Sequence, residues 1–250
     1  MRSDLACEQN PVLLEEIEEN LAVNRLRVDE RLSSKIGKPV GYYVTVESKI
    51  VTDFLQEKYD RLSGVLSREI KNLLPDRVDK ILVVGLGNRS LTADALGVLT
   101  LEKISAPKAI ESGRLCLLSP GVFGVTGIES YDVIKGVVEV IKPSAIIAVD
   151  SLCAGKTSRI GTSFQISNAG IVPGSGVKNS RKELSKSTLG VEVISLGVPM
   201  VVFASTILSD AGCNCDLPVD LEDTVVTLKD VDIVVDGCAT VVAKALEKIF

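Results

Sequence analysis

Histidine is absent from all 250 residues. A Ser-His-Asp or Cys-His catalytic site therefore cannot be built, and neither can a metal centre ligated by imidazole. Tryptophan is absent too, and aromatic residues make up only 4% of the chain. The interior has to be assembled from Val, Ile, Leu and Ala, which suits a buried parallel sheet covered by helices. There is no excess of positive charge. The net charge of -5 leaves no electrostatic footprint for nucleic acid or an anionic membrane. The six cysteines form no C-x-x-C pair and read as reduced, buried thiols of a cytosolic protein; only Cys213-Asn214-Cys215 has a spacing that could bind a soft metal or oxidise. The first residues lack the apolar stretch of a signal peptide. The longest apolar run, 191–208, has the length of a membrane span but contains Glu192, Gly197 and Pro199. It reads as a strand, a turn and a following buried segment.

Any chemistry must then fall to Asp, Glu, Lys, Cys, Tyr, Ser or backbone groups. Residues 11–35 carry Leu13, Leu14, Ile17, Leu21 and Val23 among charges, which predicts one or two surface helices. Residues 41–47 alternate as a strand, and 49–74 hold apolar residues at helical spacing up to Pro75. From residue 81 strands and helices alternate: strands at 81–84, 115–118, 145–149, 164–167 and 193–196, helices at 94–104 and 130–141, and a closing helix at 230–250. The pattern predicts an α/β fold with a mostly parallel sheet flanked by helices, in a single domain over 1–250.

Two strand-to-loop junctions carry the candidate chemistry. In "VVGLGNRSLTADALG" (83–97), Gly85-Leu86-Gly87 begins like a dinucleotide fingerprint, but Ser90 replaces its third glycine. NAD or FAD is not expected. What the turn offers is Asp94, placed either to cap the next helix or to face a ligand. In "IIAVDSLCAGKT" (146–157), Gly155-Lys156-Thr157 completes a phosphate-loop pattern whose first glycine is replaced by Asp150. A carboxylate there repels phosphate. Ligands of parallel sheets bind outside the strand ends, so Asp94 and Asp150 are expected to face one crevice. There they can share a proton, one as acid and one activating water. Lys156 is read as a partner of acids or of substrate, or as ordinary solvated charge. Gly174-Ser175-Gly176, in the Gly- and Ser-rich loop of 162–190, could polarise a substrate carbonyl or simply form a tight turn.

Taken together, "RSDLA" (2–6), "VVGLGNRSLTADALG" (83–97), "SPGVFGVTGIES" (119–130), "IKPSAIIAVDSL" (141–152), the whole of 162–202 and "LKDVDIVVDGCATVVAKAL" (228–246) resemble the germination proteases of endospore-forming bacteria. The resemblance implies a cytoplasmic, spore-core endopeptidase that cleaves small acid-soluble spore proteins, is a homotetramer, and shares its fold with the hydrogenase maturation proteases. It implies no cofactor, nucleic-acid partner or membrane attachment. It also places the family's two proposed catalytic aspartates at Asp94 and Asp150. Family members mature from a zymogen, and Met1 just precedes a stretch that looks like a mature amino terminus; the propeptide was either removed or never present. Departures from the family pattern are Ala93 for a proline, Val172 for a histidine, and a shorter chain between about 210 and 227. Two other readings are a metal-dependent peptidase holding a hard divalent ion on Asp94 and Asp150, and a non-catalytic α/β assembly module.

Overall fold

The computed structural model describes residues 3–9, 15–18, 20–177, 181–213, 218 and 221–250. Its strands are β1 (Glu15–Glu18), β2 (Leu21–Val28), β3 (Gly41–Glu47), β4 (Ile81–Gly85), β5 (Leu115–Leu118), β6 (Ala145–Ala154), β7 (Ser163–Ser167), β8 (Glu192–Phe203) and β9 (Val225–Val226). Its α-helices are α1 (Ala6–Gln9), α2 (Glu30–Ile36), α3 (Tyr59–Leu73), α4 (Leu96–Lys103), α5 (Pro107–Glu111), α6 (Phe123–Thr126), α7 (Ser130–Ile141), α8 (Lys186–Leu189), α9 (Ala204–Asp210) and α10 (Val231–Glu247). Among the described residues the strands form one sheet in the order β1-β2-β3-β7-β8-β6-β4-β5, with β9 paired to β8. The α/β class expected from the sequence is the class found. Parallel pairing is confined to β8-β6-β4-β5, and the other half of the sheet is antiparallel.

The two faces of the sheet are covered differently, as the period of two in a strand requires. On β6, Ile147 and Val149 join a core shared with α3, α4 and α10, while Ile146 and Ala148 join a second core under α7. The chain leaves β4 through α4 to β5 on one side, then returns through α7 to β6 on the other side of β4. The connection thus reverses between β4 and β6. In open α/β sheets the crevice for ligands opens at such a reversal, outside the carboxyl ends of the strands.

Two sequence expectations are corrected. Residues 15–18 and 21–28 form β1 and β2 and not a helix, and among the described residues of 11–35 only α2 is helical. Leu26 and Val28 are buried while Arg25 and Arg27 are exposed, the alternation of a half-buried strand. Leu13 and Leu14 lie outside the described residues. The run 191–208 contains no turn at Gly197 or Pro199; β8 passes through both and is followed by α9. Pro199 is tolerated because the β6–β8 register shifts there. Leu152 fills the space beside Gly197, where a Cβ would lie 2.6 Å from its Cγ. Among the described residues no helix is long and apolar enough to cross a membrane.

Candidate active site

Asp94 is fixed by the turn that follows β4. Gly87 has a φ of 101°, and a Cβ there would overlap the Asp94 carbonyl oxygen, so this close approach requires glycine. The next amide, Asn88 N–H, donates both to Asp94 Oδ2 at 2.8 Å and to the Asp94 carbonyl at 3.1 Å. Asp94 therefore does not cap α4. Its side chain turns back on the loop it closes, and it remains half-buried. Gly97, one turn on, lets α4 lie directly on the sheet: a Cβ there would overlap the carbonyl oxygens of Leu86 and Val149.

Asp150 lies inside β6 and not beyond its end, which corrects the strand boundary expected at 149. The neighbouring β4 ends at Gly85, which pairs with Val149. Asp150 is thus the first β6 residue past the end of the β4 ladder, at the edge where the crevice opens. On its other side it faces Gly197 of β8. Its side chain is buried, at 6% exposure, and Oδ1 accepts from Ser151 N–H at 2.9 Å. Burial pushes its carboxyl well above the usual range, the negative charges of Asp94 and then Asp4 push it further, and the Ser151 amide opposes them. Burial also raises the Asp94 carboxyl, against the stabilising Asn88 amide.

Both aspartates line one cavity of about 1170 Å³. Gly174, Ser175 and Gly176 form another part of its wall, the last two within a short 3₁₀ turn. Lys156 is not in the cavity. It is exposed just past the end of β6, close enough to Asp210 to lower that carboxyl's pKa, after the larger contribution of hydrogen bonds from Thr157. The phosphate-loop resemblance ends here too. Gly155 N–H donates to Glu8 Oε2 at 2.7 Å, and both Thr157 N–H and Oγ1–H donate to Asp210 Oδ2 at 2.7 Å. The amides that would cradle a phosphate are engaged by the protein's own carboxylates.

Besides Glu129 and Glu183, the cavity holds another carboxylate that sequence reasoning overlooked, Asp4. Its Oδ2 accepts from Cys153 N–H at 2.9 Å and its Oδ1 accepts from Ser175 Oγ–H at 3.1 Å. Nothing local to residue 4 announces a site; the only signal was that it sits within "RSDLA". Among the described residues no three His, Cys, Asp or Glu side chains are grouped to hold a metal ion.

Comparison with known proteins decides the family. The sequence profile of the germination proteases matches residues 4–213. The chain belongs to the germination protease family. Asp4, Asp94, Asp150 and the 174–176 turn all fall inside the matched stretch. A germination protease of Bacillus cereus (strain AH187) is 39% identical over 216 residues, covering 81% of this chain and 59% of that protein. One of Bacillus mycoides (strain KBAB4) is 38% identical over the same shares. The chain thus spans somewhat over half the length of the curated relatives it matches. A [NiFe] hydrogenase maturation protease, HycI from Thermococcus kodakarensis KOD1, is 18% identical with a TM-score of 0.44, covering 71% of this chain and 98% of that one. The germination protease resemblance read from the sequence motifs is the relationship these matches return.

Proposed function

We propose that this germination protease relative is an endopeptidase that hydrolyses small acid-soluble spore proteins during spore germination, using Asp94 and Asp150 to activate water. The observation that carries the reading is the convergence of two desolvated carboxylates, from either side of the β4/β6 reversal, on one open cavity. Two carboxylates that feel each other's charge ionise in turn and share one proton over the intervening pH range. Asp150 is the more deeply buried and faces two other acids, so it keeps the proton. Asp94, with the Asn88 amide on its Oδ2, is the member that ionises first.

The roles follow from that asymmetry. Asp94 accepts a proton from a water molecule as the water oxygen bonds to the peptide carbonyl carbon. Asp150 donates its proton to the carbonyl oxygen to give a gem-diol; this intermediate collapses as the amide nitrogen leaves with the proton taken by Asp94 and one diol hydroxyl returns its proton to Asp150, which restores the starting pair. The turn at 174–176 forms the wall against which the extended substrate lies. The supporting proposals are a homotetrameric assembly, location in the cytoplasm of the spore core, and maturation from a zymogen.

The test is incubation of the purified chain with a small acid-soluble spore protein, beside Asp94→Asn and Asp150→Asn. Cleavage by the unsubstituted chain should fall by roughly 10²–10⁴-fold in each variant. Undiminished cleavage by the variants would remove these residues from the mechanism. No cleavage by the unsubstituted chain would remove the peptidase reading.

A further inference from the structure

The amino-terminal segment is built into the cleft rather than draped over it. Leu5 and Ala6 are fully buried. Asp4 N–H donates to the Cys153 carbonyl at 2.9 Å, and Ala6 N–H donates to Gln165 Oε1 at 2.7 Å. Gln165 Nε2 in turn donates to the Asp4 carbonyl at 3.2 Å. Glu8, whose side chain is 1% exposed, is paired with Arg159 at 3.2 Å, and Arg159 also pairs with Glu47. These bonds fix the backbone on both sides of Asp4 and leave its carboxylate one position, between β6 and the 174–176 turn.

That position is shaped for a carboxylate. Its two partners, a backbone N–H and a hydroxyl, both donate, one to each of its oxygens. Gly176 is the necessary complement. A Cβ there would lie 2.7 Å from Asp4 Cγ and 2.8 Å from Cys153 Cβ. The glycine of the "GSG" turn thus makes room for Asp4, and Ser175 of the same turn binds it.

We infer that Asp4 is a positioning residue for the Asp94–Asp150 pair: it holds the 174–176 turn against β6 and, by its charge, directs the shared proton onto Asp150. The inference rests on the two-aspartate reading given above. The acids that face Asp150 are Asp94, from the turn before α4, and Asp4, from the amino-terminal segment; the β8 residue opposite is Gly197. Lys38, in the loop between α2 and β3, donates from Nζ to the carbonyls of Ser3 and Asp4 at 3.0 Å, and Glu129, Arg181 and Glu183 also line the cavity. Asp4 engages one residue on each of the two structures that Asp150 works between, Cys153 on its own strand and Ser175 on the substrate wall.

The experiment follows the Asp150 carboxyl by ¹³C NMR through a pH titration, in the intact chain and in Asp4→Asn. Asp4→Ser is measured beside it, with the folding of each checked by circular dichroism. The pH dependence of kcat/KM is recorded on the same proteins. Removing the Asp4 charge should let Asp150 lose its proton at lower pH, and the alkaline limb of kcat/KM should move to lower pH with it. At neutral pH kcat should fall by about tenfold. An Asp150 titration that stays put in a folded uncharged variant overturns the inference. If no form of the chain cleaves any peptide, the peptidase reading fails, while the Asp150 titration still decides whether Asp4 governs that proton.

Discussion

Asp150 holds its proton more tightly in the folded chain than an unfolded aspartate would, because burial and two neighbouring acids oppose its charge. The folded state therefore binds more protons than the unfolded state once pH exceeds the ordinary aspartate range. Stability contributed by this side chain falls as pH rises from that range toward the raised folded value, and the penalty vanishes below it. Asn has the same shape and no charge to desolvate. Asp150→Asn should therefore stabilise the fold at neutral pH by about 1–2 kcal/mol, equivalent to roughly 2–8 °C in Tm for a domain of this size, while destroying activity. The gain should shrink toward zero as the melts are repeated at acid pH below about 4. A variant no more stable than the unsubstituted chain at neutral pH would mean that Asp150 is not strained by its surroundings. Asp94 and Asp150 were legible in the sequence because each is an acid set against an apolar strand run, Asp94 in the turn after β4 and Asp150 within β6 itself. Asp4 was not, because its partners, Cys153 and Ser175, lie in distant parts of the chain and only the fold brings them together.

At the scale of elements, strands β4 to β8 and helices α4, α7 and α10 were readable because they are apolar runs punctuated by glycine or helices with an apolar face, whereas α5, α6, α8 and α9, no longer than seven residues, and the shorter β9 were not. Strand β5 and helix α7 fall where periodicity put them. Strand β2 was missed because Asn24, a polar residue, is buried at 3% exposure and breaks the alternation where a helix pattern could be fitted instead. The full extents of β6 and β8 were missed because Asp150, Gly197 and Pro199 look like strand ends, yet each serves the site or the bulge within a continuous strand. The helix α4 presents a case that tests this packing. A Cβ on Gly97 would meet two backbone carbonyls that cannot rotate away, whereas a Cβ on Gly64, within α3, would meet nothing within 4 Å. Gly97→Ala should lift α4 from β4 and β6 and cost roughly 2–3 kcal/mol, with loss of cleavage because Asp94 moves relative to Asp150. Gly64→Ala should stabilise by about 0.5–1 kcal/mol with cleavage unchanged. Urea denaturation of both variants measures the contrast, and equal effects would mean that α4 does not sit against the sheet as closely as described.

At the scale of the whole molecule, the question is whether the antiparallel and parallel halves of the sheet stand or fall together. One core cluster crosses the boundary, taking Val44 and Val46 from β3, Phe164 from β7, Ile147 from β6 and Ile81 from β4. Helix α10 closes it, with Cys238, Val242 and Leu246 wholly buried against residues of α3 and α4. Because α3 covers the antiparallel side and α4 the parallel side, α10 cannot detach without exposing apolar surface on both. Unfolding should then be one transition. Burial holds the Cys238 thiol far above its ordinary pKa, so in the folded chain it is both shielded and protonated and does not react with thiol reagents at neutral pH. Its labelling reports the opening of α10, tyrosine emission reports β3, α3 and α7 through Tyr42, Tyr43, Tyr59 and Tyr131, and far-ultraviolet circular dichroism reports the whole. The three midpoints in urea should coincide. Leu246→Ala, which removes a buried side chain at this junction, should cost about 2–5 kcal/mol of stability and lower all three midpoints together. Cys238 labelling that precedes the loss of circular dichroism would make α10 a separable cap, and the two halves of the sheet would then have to be held by their shared strands alone.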